Sequence, residues 1–90
     1  MGFFNKLFFG GKKCYRCSGY STNFICNEHG VSDLRNDVQE IIEGYRREAG
    51  RAEYDVLYCE DCGLYIVDFP STSYVRGTQY YFTCRGRIRK

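Results

Sequence analysis

Two cysteine pairs, Cys14-Tyr-Arg-Cys17 and Cys59-Glu-Asp-Cys62, have the spacing that lets one tight turn offer two thiolates to one metal ion. Each supplies half of a tetrahedral four-thiolate site, for which zinc is the expected ion. Ser18-Gly19 and Gly63 follow them, the small residues that a turn aiming backbone N–H groups at sulfur requires. The chain offers three more ligands of the right chemistry, Cys26, His29 and Cys84. Three arrangements therefore compete. Cys14, Cys17, Cys59 and Cys62 share one long-range site; or Cys14, Cys17, Cys26 and His29 close a local one, whose shorter loop costs less entropy; or two ions bind, the second on Cys26, His29 and Cys84. Packed-thiol roles for Cys26 and Cys84 stand beside the ligand roles, because a free Cys behaves as a small hydrophobe.

Catalysis finds little support in the same residues. A thiol–disulfide enzyme stabilises its attacking thiolate with a helix N-terminus or nearby positive charge. Cys59 and Cys62 instead enclose Glu60 and Asp61, which disfavour a thiolate. A zinc deaminase needs His-x-Glu ahead of its cysteine pair, and the one histidine, His29, is followed by Gly30-Val31. Metal-assisted hydrolysis needs an open coordination position, which four thiolates would not leave. The expectation is a protein that is not an enzyme and has no small-molecule substrate.

A chain of 90 residues makes one domain, spanning 1–90. At this length only about 60–65% of the unfolded surface is buried, so a structural metal would supply much of the folding energy. Six cysteines without a secretory signal read as thiols of a reducing cytoplasm. Residues 1–11 form a short amphipathic segment with Phe4, Leu7 and Phe8 at helical spacing, too short to span a bilayer. Gly2 lacks the Ser or Thr that a myristoylation motif places where Lys6 stands. The segment reads as a turn packed on the domain, with membrane contact by residues 3–9 disfavoured.

Charge is strongly segregated. All 11 acidic residues lie between Glu28 and Asp68, whereas nine of the 13 basic residues lie outside that stretch. If the two ends meet in space, the molecule gains one basic face. The C-terminal stretch 79–89 reads as a strand, with Tyr80, Phe82, Cys84 and Ile88 on one side and Tyr81, Thr83, Arg85, Arg87 and Arg89 on the other. Guanidiniums at alternate strand positions approximate phosphate spacing, and Tyr81 offers a ring for stacking. Lys12, Lys13 and Arg16 would extend that face, giving a candidate nucleic-acid surface of Lys12, Lys13, Arg16, Tyr81, Arg85, Arg87 and Arg89. An Arg-rich edge strand also guards against aggregation, which is the competing structural role.

The elements that must position these groups are legible by pattern. Leu34, Val38, Ile41, Ile42, Tyr45 and Ala49 form one apolar stripe, predicting a helix over 32–50 capped by Ser32 and stopped by Gly50. Its outer face carries Glu40 and Glu43, with Asp37 at the margin and Arg47 one turn beyond Glu43. Strands are expected over 21–25, 54–58 and 64–69, the last two forming a hairpin whose tip is the second cysteine pair. The fold class is therefore α+β: a small antiparallel β-sheet with zinc-knuckle hairpins and one amphipathic helix.

A Cys-x-x-Cys knuckle repeated across a helix-bearing insertion and followed by a further strand resembles the zinc ribbon. The insert with Cys26 and His29 leaves room for the related treble clef. The likeness covers about half the chain, rests on ligand spacing, and carries over Cys14, Cys17, Cys59 and Cys62 as ligands. It implies binding to nucleic acid or to a protein of the transcription or replication machinery. The rival is an adaptor or inhibitor, of phage or viral style, docking on a basic partner enzyme through the acidic helix face.

Overall fold

A computed structural model describes residues 13, 14 and 16–90; the 1–11 segment and Lys12 lie outside the described residues. The element order is β1 (Thr22–Asn27), a 3-10 turn (Val31–Asp33), α1 (Asn36–Ala49), β2 (Asp55–Cys59), β3 (Leu64–Phe69) and β4 (Thr78–Thr83). The strands make one antiparallel sheet in the order β1-β2-β3-β4, and α1 occupies the β1–β2 connection. This is the expected small α+β fold.

The apolar stripe of α1 seats on one face of the sheet. Val38 and Ile42 are fully buried with Leu34, against Val56, Tyr65, Val67 and Phe69. Burying each such aliphatic side chain contributes about 1.5–3 kcal/mol. Aromatic rings fill the rest of this layer: Tyr65 stacks on Phe82 with centroids 4.7 Å apart, and Tyr45 stacks on Tyr80 at 4.6 Å.

The helix begins four residues later than expected. Ser32 lies in the 3-10 turn and caps nothing; the N-cap is Arg35, with no side-chain cap bond. The orphan amide of Val38 is met instead by the Asp37 carboxylate, at 2.8 Å. Gly50 ends α1 as expected, its amide donating to the carbonyl of Arg46 at 2.9 Å. Glu43 meets Arg47 at 3.6 Å, but a closer pair forms with Arg46, at 2.6 Å.

The C-terminal strand is shorter than the sequence pattern suggested. β4 stops at Thr83, and the chain then turns at Gly86, whose φ is 97°. Beyond the turn it straps across the start of the helix. Arg35 N donates to the Ile88 carbonyl at 3.1 Å, Lys90 N donates to the Asp33 carbonyl at 3.1 Å, and Leu34 bridges Arg89. Within β4 the expected alternation holds, with Tyr80 and Phe82 on the core side and Tyr81 and Thr83 outward. The ladder of guanidiniums over Arg85, Arg87 and Arg89 does not form, because leaving the sheet gives Ile88 its apolar packing and satisfies the backbone groups at the helix entrance.

Candidate metal centre and basic cleft

The four paired cysteines converge. The Sγ atoms of Cys14, Cys17, Cys59 and Cys62 all lie within 4.8 Å of one another. Cys14 and Cys62 approach to 3.6 Å, Cys17 and Cys59 to 3.7 Å. These distances far exceed a disulfide bond of about 2.05 Å. They match the sulfur–sulfur edge of about 3.8 Å that follows from four metal–sulfur bonds of about 2.3 Å in a tetrahedron. The four residues are therefore positioned to hold a metal ion.

Local chain geometry explains the convergence. Cys59 ends β2 and Cys62 lies in the turn before β3, so the hairpin presents both thiols at its tip. The first pair sits in a turn closed by Ser18 N donating to the Cys14 carbonyl at 2.8 Å, and by Cys14 N donating to Gly19 O at 2.7 Å. Glu60 N donates to the Ser21 carbonyl at 3.1 Å, tying one knuckle to the other. The residue just after each second cysteine has the same backbone sign, φ 64° at Ser18 and 80° at Gly63. Such left-handed positions turn the following amides back over the sulfurs.

The thiols are electrostatically unequal. Backbone hydrogen bonding from Cys17 chiefly lowers Cys14, to about 6, with Arg16 helping. Burial pushes Cys62 up to about 12, and its thiol neighbours add to the shift. Four thiolates in this space repel one another, and a divalent cation removes that conflict.

The other potential ligands go elsewhere. A bulge in β1 shifts its register between Phe24, opposite Leu57, and Cys26, opposite Val56. Phe24 and Cys26 would share a face in a regular strand; the inserted residue turns Cys26 into the core beneath the helix. Cys14 and Cys59 pack in a separate cluster with Leu64. His29 is exposed, its Nε2 3.3 Å from Glu28. Cys84 sits against Arg35 and Asp37, accepting from Arg35 Nη2 at 2.9 Å. The structure thus does not bring Cys26, His29 and Cys84 together, nor Cys26 and His29 to Cys14 and Cys17. Among the described residues the four-cysteine group alone has metal-ligating spacing.

Beside the knuckles lies a cleft of about 610 Å³ that includes Arg16 from the first turn and Arg85 from beyond β4, with Tyr58, Cys62, Gly63 and Thr83 between them. Among the described residues no carboxylate lines it. The remaining candidate surface residues scatter. Lys13 and Tyr81 border a different groove, Arg87 is exposed, and Arg89 donates from Nη2 to the Ile25 carbonyl at 3.2 Å. Sequence reasoning passed over Arg35, which organises this region by bonding Asp37, Cys84 and the Arg85 carbonyl together. Two of those partners are 49 and 50 residues away, so no local spacing marked it. Comparison with family models, curated proteins and solved structures found no match to this chain.

Proposed function

We propose that this is a non-enzymatic zinc module that binds nucleic acid, or the machinery acting on it, through the basic cleft beside its knuckles. The donor set supports zinc, since four clustered thiolates suit a soft-to-borderline ion without redox demand. Closed thiolate sites of this kind are structural. The observation that carries the binding reading is the meeting of Arg16 and Arg85 across a cleft free of carboxylates, from the two ends of the chain where positive charge accumulates. Hydroxyls of Tyr58 and Thr83 add neutral donors to phosphate oxygens. The adaptor alternative has weaker support. Asp37 and Glu43, two of its three acidic docking residues, are already ion-paired to Arg35 and Arg46 at 2.6 Å each.

The test is fluorescence anisotropy of labelled single-stranded DNA, RNA and duplex, titrated with the zinc-loaded chain over a range of salt. Binding is expected to weaken steeply with salt. The Arg16→Ala, Arg85→Ala double variant should lower the logarithmic salt slope by about 1.4–1.8, two phosphate contacts' worth. Unchanged affinity in a folded double variant for every probe sinks the proposal.

A further inference from the structure

The helix covers one face of the sheet, and the opposite face carries a continuous apolar row. Phe24, Leu57, Ile66 and Tyr81 are direct cross-strand neighbours from one edge strand to the other. Among the described residues no helix or strand crosses this row; α1 packs on the other side. At its centre Leu57 keeps 7% exposure and Ile66, half-buried, packs against the Cys14–Cys59–Leu64 cluster, whereas the ends, Phe24 and Tyr81, keep 59% and 37%. Beside the row, Asp55 and Asp68 stand directly opposite each other on β2 and β3. Like charges so placed are destabilising unless a cation joins them. Lys13, the first described residue, borders a groove shared by Leu57, Ile66, Asp68 and Tyr81. The described chain therefore begins at the edge of this face.

We propose that residues 3–9 of the same chain, Phe-Phe-Asn-Lys-Leu-Phe-Phe, cover this open sheet face as the third layer of the fold. Four strands at about 4.8 Å spacing span roughly 15 Å, within the reach of seven extended residues at about 3.3 Å each. The segment offers five large apolar side chains to an apolar row of four residues. Lys6, at its middle, would supply the cation that no described residue gives the Asp55–Asp68 pair, and Gly10-Gly11 would allow the chain to turn between segment and knuckle. The cover is independent of nucleic-acid binding, which uses the cleft at the knuckle end.

Photo-crosslinking of the zinc-loaded full-length chain tests the assignment. Benzoylphenylalanine placed at position 4, and separately at position 8, is irradiated and mapped by mass spectrometry. Crosslinks within one chain to peptides holding Leu57, Ile66 or Tyr81 are expected. Lys6→Glu should cut their yield about two- to fivefold, the scale of one cross-strand charge pair, while Lys90→Glu leaves it unchanged. Crosslinks joining two chains would assign the face to a second copy and overturn the proposal. So would crosslinks confined to the α1 side, or loss of the crosslinks with binding of the chain to vesicles of neutral lipid. Failure to bind nucleic acid leaves each of these readouts unaltered.

Discussion

The Sγ atoms of Cys17 and Cys59 lie 3.7 Å apart across 42 residues of chain, and together with the 3.6 Å approach of Cys14 and Cys62 they draw the first turn onto the β2–β3 hairpin. If one metal ion makes this fastening, its loss should be felt globally. We expect one zinc per chain by native mass spectrometry, lost equally when Cys14 and Cys17 or Cys59 and Cys62 are changed to Ser. Structural zinc contributes about 10–16 kcal/mol in small finger peptides, more than a chain of this size holds in reserve, so chelation should unfold it by circular dichroism. Cys26→Ser, His29→Ala and Cys84→Ser should each retain the ion. Retention of full zinc after changing Cys59 and Cys62 would rule the long-range site out.

Arg85 and Arg89 look equivalent in the sequence and occupy different roles in the fold. Arg85 lines the cleft; Arg89 holds the Ile25 carbonyl and lies where the tail bridges Leu34. Arg85→Ala is accordingly expected to weaken nucleic-acid binding with little effect on the denaturation midpoint. Arg89→Ala should cost about 0.5–1.5 kcal/mol of stability for its hydrogen bond and leave the salt slope of binding unchanged. Parallel urea melts and anisotropy titrations of the two variants separate the roles; identical behaviour would contradict them.

Those two arginines also mark where sequence reading stopped. The helix stripe, the hairpin and the four converging cysteines follow from local periodicity and spacing, which act over a few residues and leave a visible pattern. The end of β4 does not. Gly86 interrupts the strand pattern of Gln79 to Arg89, but that stretch does not say where the tail goes next, because the deciding partners are Asp33, Leu34 and Arg35, more than 50 residues earlier. Cys26 was ambiguous for a related reason. One inserted residue in β1 decides which face it joins, and a bulge depends on pairing with β2 rather than on β1 alone.

Gly86 turns the chain into that strap with φ 97°, and a Cβ there would collide with the Arg35 guanidinium. Gly86→Ala should therefore cost about 1–3 kcal/mol from strain in the left-handed region, with loss of the Arg35 contact adding to it. Ser18 tests the opposite sign. It occupies the left-handed position of the first knuckle where Gly63 serves in the second, so Ser18→Gly should stabilise the zinc-loaded protein by up to about 1 kcal/mol. Urea midpoints for both variants check the pair; a destabilised Ser18→Gly would show that its hydroxyl, rather than its backbone, matters.

Asp37 is the residue whose charge should matter most to the strap. Hydrogen bonds from Arg35 hold its carboxyl well below the usual carboxylate range, at about 2, with the Cys84 thiol and the Val38 amide assisting. A depressed folded-state pKa means the ionised form is the one that stabilises. Its contribution is fully present above the unfolded value near 3.8 and disappears as pH falls through about 2. The Asp37 side chain is 58% exposed, so solvent screens the pair and the effect should be modest and salt-sensitive. Wild type and Asp37→Asn, both zinc-loaded, should differ in stability by a small, pH-independent amount from neutral pH down to the acid range in which the thiolates protonate and the ion leaves. Tail residues 84–90 should meanwhile exchange their amide hydrogens faster in Asp37→Asn at neutral pH. Equal stabilities and equal tail exchange rates in the two proteins would mean that the Asp37 charge does not hold the strap.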